Sequence, residues 1–204
     1  MKLSQHLLAA AALSLSLGAN AQVAGSLGGA GTFLTLSSAG LSGGSVATLS
    51  GGTVYTADQP FADIPAGAVF GGSFLAAGVT AGVSSTLTFS GGGVPYISFL
   101  WGSPDTYNIL TVGTSAGTQT FTTTSLGFLV SNGNQGFSQP VQFSASAGSS
   151  IRSLTFTNEP GRNAFEVANF SLTPVSVVPE PETYALLLAG LCAVIYIARR
   201  RNLD

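Results

Sequence analysis

The sequence predicts an all-β fold. It reads as one β-sandwich of jelly-roll type, flanked by an N-terminal signal helix and a single C-terminal transmembrane helix. Three observations point there. Short segments across residues 22–174 alternate apolar and polar side chains with a period of two. Gly, 27 of the 204 residues, gathers with Asn, Ser and Pro between those segments, where turns need it. No helical period of useful length interrupts them outside the two ends.

The chain opens with Met1-Lys2, then an apolar stretch of Leu and Ala from Leu7 to Leu17. Ala19 and Ala21 place small residues at −3 and −1 before Gln22. Charge, apolar stretch and small-residue exit in that order are the pattern of a secretory signal peptide over residues 1–21, cut before Gln22 by signal peptidase.

Within 22–174 several strands can be read directly. Thr86-Leu87-Thr88-Phe89 alternates, as do Val141-Gln142-Phe143-Ser144-Ala145 and Ser153-Leu154-Thr155-Phe156-Thr157. Ile97, Phe99 and Trp101 share one face of a further strand. Each reads as a half-buried antiparallel strand. Gly91-Gly92-Gly93, Ser131-Asn132-Gly133-Asn134 and Asn158-Glu159-Pro160-Gly161 read as turns. Near the end of the domain the parity breaks. Phe165 and Val167 fall on one side of an ideal strand, Phe170 and Leu172 on the other. That predicts a β-bulge near Ala168-Asn169, or burial on both faces.

Residues 175–183 read as a linker containing Pro179-Glu180-Pro181. Tyr184 to Ala198 is a stretch of fifteen residues without a charge, and Arg199-Arg200-Arg201 opens a basic tail over 199–204. Fifteen helical residues span about 22 Å, short of the roughly 30 Å of hydrocarbon, so arginine side chains must snorkel to complete the span. The arginines predict that this end stays cytoplasmic and the domain lies outside.

Pro-Glu-Pro, a short apolar helix and an arginine cluster together resemble the PEP-CTERM sorting tail of Gram-negative bacteria that make exopolysaccharide. The stretch Pro95–Asn108, with Phe165–Phe170, is similar to a group of PEP-CTERM surface proteins. The resemblance implies recognition by exosortase, an integral-membrane enzyme, with cleavage near Pro179, Glu180 and Pro181. It also implies anchoring in the inner membrane before processing, then delivery to the cell surface or extracellular matrix, in association with exopolysaccharide or biofilm. It carries no catalytic residue to transfer. A plain single-span anchor with a rigid Pro-Glu-Pro spacer is the alternative.

The rare residues narrow the function classes. The only Lys, His and Cys are Lys2, His6 and Cys192, all in the end segments. The central domain therefore lacks a Ser-His-Asp or Cys-His nucleophile, a Schiff-base lysine, and a histidine- or cysteine-ligated zinc. A formal net charge of −2 and no basic patch argue against nucleic acid as a partner. The expectation is a non-enzymatic protein with no cofactor. A carbohydrate-binding module is the alternative, and an exported hydrolase ranks below it.

Seven charged residues remain between 22 and 174: Asp58, Asp63, Asp105, Arg152, Glu159, Arg162 and Glu166. A carboxylate pair for glycoside hydrolysis is conceivable, but no spacing selects one. Asp58, Asp63, Asp105 and Asn108 offer oxygen ligands for calcium, though no ligand loop is present. Asp63 and Asp105 equally suit turns in which Asp bonds its own backbone. Trp101 with Tyr96 and Tyr107 offers a sugar-stacking platform, against which stands the shared parity of Trp101 with Ile97 and Phe99. The run from Thr111 to Thr124 holds seven Thr and one Ser, which suits either O-glycosylation or exposed strand faces.

Overall fold

A computed structural model describes residues 22–29, 31–174 and 188–192. The first half of the domain carries short strands: β1 (Val23–Leu27), β2 (Leu36–Ser37), β3 (Gly40–Leu41), β4 (Ala47–Gly51), β5 (Thr53–Tyr55) and β6 (Phe74–Ala77). The second half carries longer ones: β7 (Ser84–Phe89), β8 (Tyr96–Gly102), β9 (Asn108–Thr114), β10 (Gly117–Thr122), β11 (Ser138–Ala145), β12 (Ile151–Asn158) and β13 (Phe165–Ser171). They form two antiparallel sheets, ordered β1-β11-β8-β13-β6-β5 and β10-β9-β12-β7-β4-β3-β2.

The pairing explains the architecture. β9 pairs with β10, β8 with β11, β7 with β12 and β6 with β13. This is one long folded ribbon whose nested partners alternate between sheets as it rolls up, the connectivity of a jelly roll. The remaining strands extend the edges. β1 adds to β11, β5 to β6, and the β2-β3-β4 meander to β7.

The strands read from sequence form where alternation placed them. β7 buries Ser85, Leu87 and Phe89 and turns the intervening residues outward. β12 buries Ile151, Leu154 and Phe156. Between the sheets Phe99 is the hub, with ring centroids 5.5 Å from Phe156, 5.6 Å from Phe170 and 5.7 Å from Phe143. Trp101 stacks on Phe165 at 4.2 Å. Offset and edge-on pairs of this kind add about 0.5–1.5 kcal/mol each beyond the area they bury.

The bulge expected near Ala168-Asn169 is present. β13 advances three residues from Ala168 to Ser171 while β8 retreats two, from Leu100 to Ser98. Asn169 absorbs the extra residue in a left-handed conformation (φ 53°). Its side chain then ties down the neighbouring loop, accepting from the Val69 N–H and donating to the Gly67 carbonyl, each at 2.9 Å. The parity reset puts Phe165, Val167 and Phe170 all in the core.

One expectation is corrected. β8 is not half-buried: all seven of its residues are buried. Its outward face is covered at Ser98 by the connection between β1 and β2, where a Cβ on Gly29 would stand 2.6 Å from the Ser98 side chain, and at Gly102 by the connection between β5 and β6. A second apolar cluster of Ala62, Phe74, Ala76, Ala81, Ala164 and Ala168 packs beside it with Phe61 and Ile64. At Gly102 a Cβ would sit 2.7 Å from the Pro65 ring, so only Gly allows this approach.

Candidate functional site

β8 and β13 end and begin at the same pole of the sandwich, where Gly102 pairs with Glu166. The connections leaving that pole enclose a polar cavity of about 270 Å³. Ser103, Asp105 and Tyr107 come from the β8–β9 connection, and Asn132, Gly133 and Gln135 from the β10–β11 connection. Asn163 and Ala164 precede β13, Glu166 lies on it, and Phe61 closes the wall.

Asn108 holds these connections together. It is fully buried. Its carbonyl oxygen accepts from the Asp105 N–H at 2.7 Å and from the Trp101 indole at 3.2 Å. Its amide donates to Asn158 Oδ1 at 2.8 Å and to the Ala164 carbonyl at 3.3 Å. That uses the full capacity of the side chain, two donors and one carbonyl oxygen with two lone pairs. On the other wall the Gly133 N–H donates to the Pro104 carbonyl at 3.1 Å. Gly133 has φ +68°, and an added Cβ would stand 3.0 Å from both carboxylate oxygens of Asp105.

Glu166 is the unusual member. It is 3% exposed, and its Oε2 has no hydrogen-bond partner among the described residues. Burial pushes its pKa up to about 9, with Asp105 and Asp63 adding in the same direction and the N–H groups of Glu166 itself and Asp63 opposing. The carboxyl is therefore protonated and neutral at ordinary pH. Ser103 is also buried, in a left-handed conformation (φ 37°), and its Oγ is likewise unpartnered among the described residues. Burial also raises the Tyr107 pKa; its hydroxyl donates to the Asn163 carbonyl at 2.7 Å, and the Arg162 guanidinium lies 5.4 Å from its ring centroid.

A second cavity, about 310 Å³ and mostly apolar, lies on the outer face of β8. Phe33, Ala66, Leu100, Pro140 and Asn169 line it, and the hydroxyls of Ser98 and Ser138 are unpartnered there among the described residues.

The sequence-based site residues fare unevenly. Trp101 is fully buried, with its indole nitrogen spent on Asn108, so it presents no face to a sugar. Tyr96 begins β8 and its hydroxyl donates to Gln142 at 3.1 Å, while Tyr107 lies beyond the other end of that strand. The three do not form a platform, because the residue spacing that gave Trp101 its parity also turned it inward. The calcium set does not assemble either. Asn108 has no oxygen to spare, Asp58 Oδ1 accepts from the Ile64 N–H at 2.8 Å, and among the described residues no three acidic groups converge as metal ligands. Asp63 Oδ2 is buried without a partner among the described residues, and burial with Asp58 nearby raises its pKa. Gln22 is described, its amide donating to the Ala116 carbonyl at 2.9 Å and its oxygen accepting from Thr114 at 3.0 Å. Ala19, Ala21, Pro179, Glu180, Pro181, Arg199, Arg200 and Arg201 lie outside the described residues. Glu166 went unselected in the sequence; a lone carboxylate between Phe165 and Val167 was the available signal.

Residues 177–201 match the family model of the PEP-CTERM protein-sorting motif. The chain carries a PEP-CTERM sorting tail. The motif implies export, a C-terminus held in the membrane before processing, and exosortase as the processing partner. Of the expected helix at 184–198 only residues 188–192 are described, and they are helical. Among the described residues no helix is long and apolar enough to cross a membrane. No curated protein and no solved structure matches the chain.

Proposed function

We propose that this chain is a non-enzymatic surface or matrix protein, delivered through the PEP-CTERM route and retained with exopolysaccharide or biofilm at its destination. The observation that carries the reading is the sorting motif at 177–201, joined to a β-sandwich and preceded by a signal-like N-terminus. The anchor at 184–198 holds the domain outside the inner membrane until exosortase cuts near Pro179–Pro181.

The non-enzymatic part rests on chemistry. Residues 22–174 contain no His, Lys or Cys to act as base or activated nucleophile. Among the described residues, Glu166 and Asp105 are two carboxyl groups that line one cavity. Glycoside turnover abolished by Glu166→Gln would therefore overturn this part.

Intact mass of the protein recovered from the producing cells and their medium tests the route. The expected species starts at Gln22 and ends between Pro179 and Glu182. A mature protein still carrying Tyr184 to Asp204 would make the tail an ordinary anchor and end the sorting proposal. Added hexose-sized increments would reveal glycosylation, for which the Thr111–Thr124 hairpin is the first place to look.

A further inference from the structure

We propose that the Glu166 cavity binds one neutral sugar ring, holding its hydroxyls with the polar side chains of Glu166, Ser103 and Asp105. Two buried polar atoms in the same wall, Glu166 Oε2 and Ser103 Oγ, lack partners among the described residues. Buried polar groups are nearly always paired in native proteins, so two orphans on residues that line one cavity mark where a ligand can supply the missing hydrogen bonds.

The donor and acceptor inventory selects the ligand chemistry. A hydroxyl and a neutral carboxyl each donate and accept, and the Asp105 carboxylate only accepts. A partner must therefore both give and take hydrogen bonds, as a polyol does. An anion is disfavoured, since the Asp105 carboxylate borders the cavity and neither Arg nor Lys is among its lining residues. A divalent cation is disfavoured, since no three acidic groups converge among the described residues. The volume, about 270 Å³, falls just below the usual range of ligand pockets and limits the occupant to a single ring. The site is also preformed. Asn108 clamps the connections on either side, and Tyr107 is fixed through its hydroxyl, so little ordering accompanies binding.

The test uses the full chain in a non-glycosidic detergent. Saturation-transfer NMR is recorded against glucose, galactose, mannose, rhamnose and N-acetylglucosamine at millimolar concentration. The expected result is transfer to at least one sugar, weakened about tenfold or more by Gln135→Trp, which plugs the cavity from its exposed rim. Ser103→Gly, which relaxes the left-handed backbone while deleting the hydroxyl, is the second variant and is expected to weaken the same signal. Absence of transfer to every sugar would overturn the proposal, as would transfer that both variants leave unchanged. Calcium raising the melting temperature of wild type but not of Glu166→Gln would also overturn it, making this a cation site. The sugar measurement reads the cavity alone, so its failure is distinguishable from failure of the sorting route, which the mass measurement reads.

Discussion

Replacing Glu166 by Gln should change how stability depends on pH. The folded carboxyl has a pKa raised from 4.5 to about 9. Between those values the folded chain keeps a proton that the unfolded chain releases. Stability therefore falls as pH rises through that window and is level outside it. At pH 7 the window has been crossed for about 2.5 units, and at roughly 1.4 kcal/mol per unit the accumulated loss is about 3.5 kcal/mol. Gln cannot ionise, so the variant lacks this loss. It also places an amide where Oε2 has no partner, which costs about 1–3 kcal/mol at every pH. The absolute stabilities can thus cross, and the slope is what discriminates. Denaturant titrations at pH 5, 6, 7 and 8, followed by fluorescence of Trp101, the sole tryptophan, measure both proteins. The difference, variant minus wild type, should climb by about 1.4 kcal/mol per unit. Asp63, whose pKa is also raised, contributes to both proteins and cancels. A difference that stays level across this range would show that Glu166 is ionised in the folded chain, and the account of a neutral buried carboxyl would fail.

Trp101→Ala empties the space stacked on Phe165 and should cost about 3–5 kcal/mol, read as a shift of the urea midpoint by circular dichroism. Asn108→Ala strips partners from the Asp105 N–H, the Trp101 indole, Asn158 and the Ala164 carbonyl; at about 1–3 kcal/mol per stranded buried group it should abolish cooperative unfolding in a thermal melt. At Gly40 (φ +117°) a Cβ would run into the Ala47 carbonyl oxygen, so Gly40→Ala should lower the melting temperature while the exposed Gly43→Ala lowers it far less. Asn169→Gly keeps the left-handed bulge and loses two hydrogen bonds, whereas Asn169→Ala loses both features and should be less stable by a further 1–2 kcal/mol or so.

The strands whose two faces meet different surroundings were legible in the sequence. Leu87 and Phe89, Val141 and Phe143, and Leu154 and Phe156 alternate because one side meets the core and the other meets water. The bulge was legible for the same reason, since the parity of Phe170 cannot be reconciled with that of Val167 in an unbroken strand. Complete burial of β8 was not. On its outward side Ser98 and Gly102 are small or polar and flank a single Leu100, and the cover comes from two distant Gly-, Ala- and Pro-rich connections, at Gly29 and at Pro65, that look like loop in any local window. The cavity was hidden for a related reason. Glu166 sits where alternation predicts a solvent-facing residue, and only the pairing of β13 with both β6 and β8 puts it beneath Pro65 and beside Asp105. Long-range topology decides such things, and a single strand's pattern does not contain it.

Both chain exits from the sandwich lie at one pole. Val23 pairs with Ala145 and Ser171 with Ser98, whereas Gly102, Ser103 and Glu166 mark the opposite pole. The six residues from Glu166 to Ser171 place these poles roughly 15 Å or more apart at about 3.3 Å per residue. The domain is thus mounted like a cup on a stem. A fusion, label or immobilising linker joined after Thr173 grips the stem and leaves the cup unobstructed, whereas a loop insertion near Gly133 or Arg162 would lie across its opening.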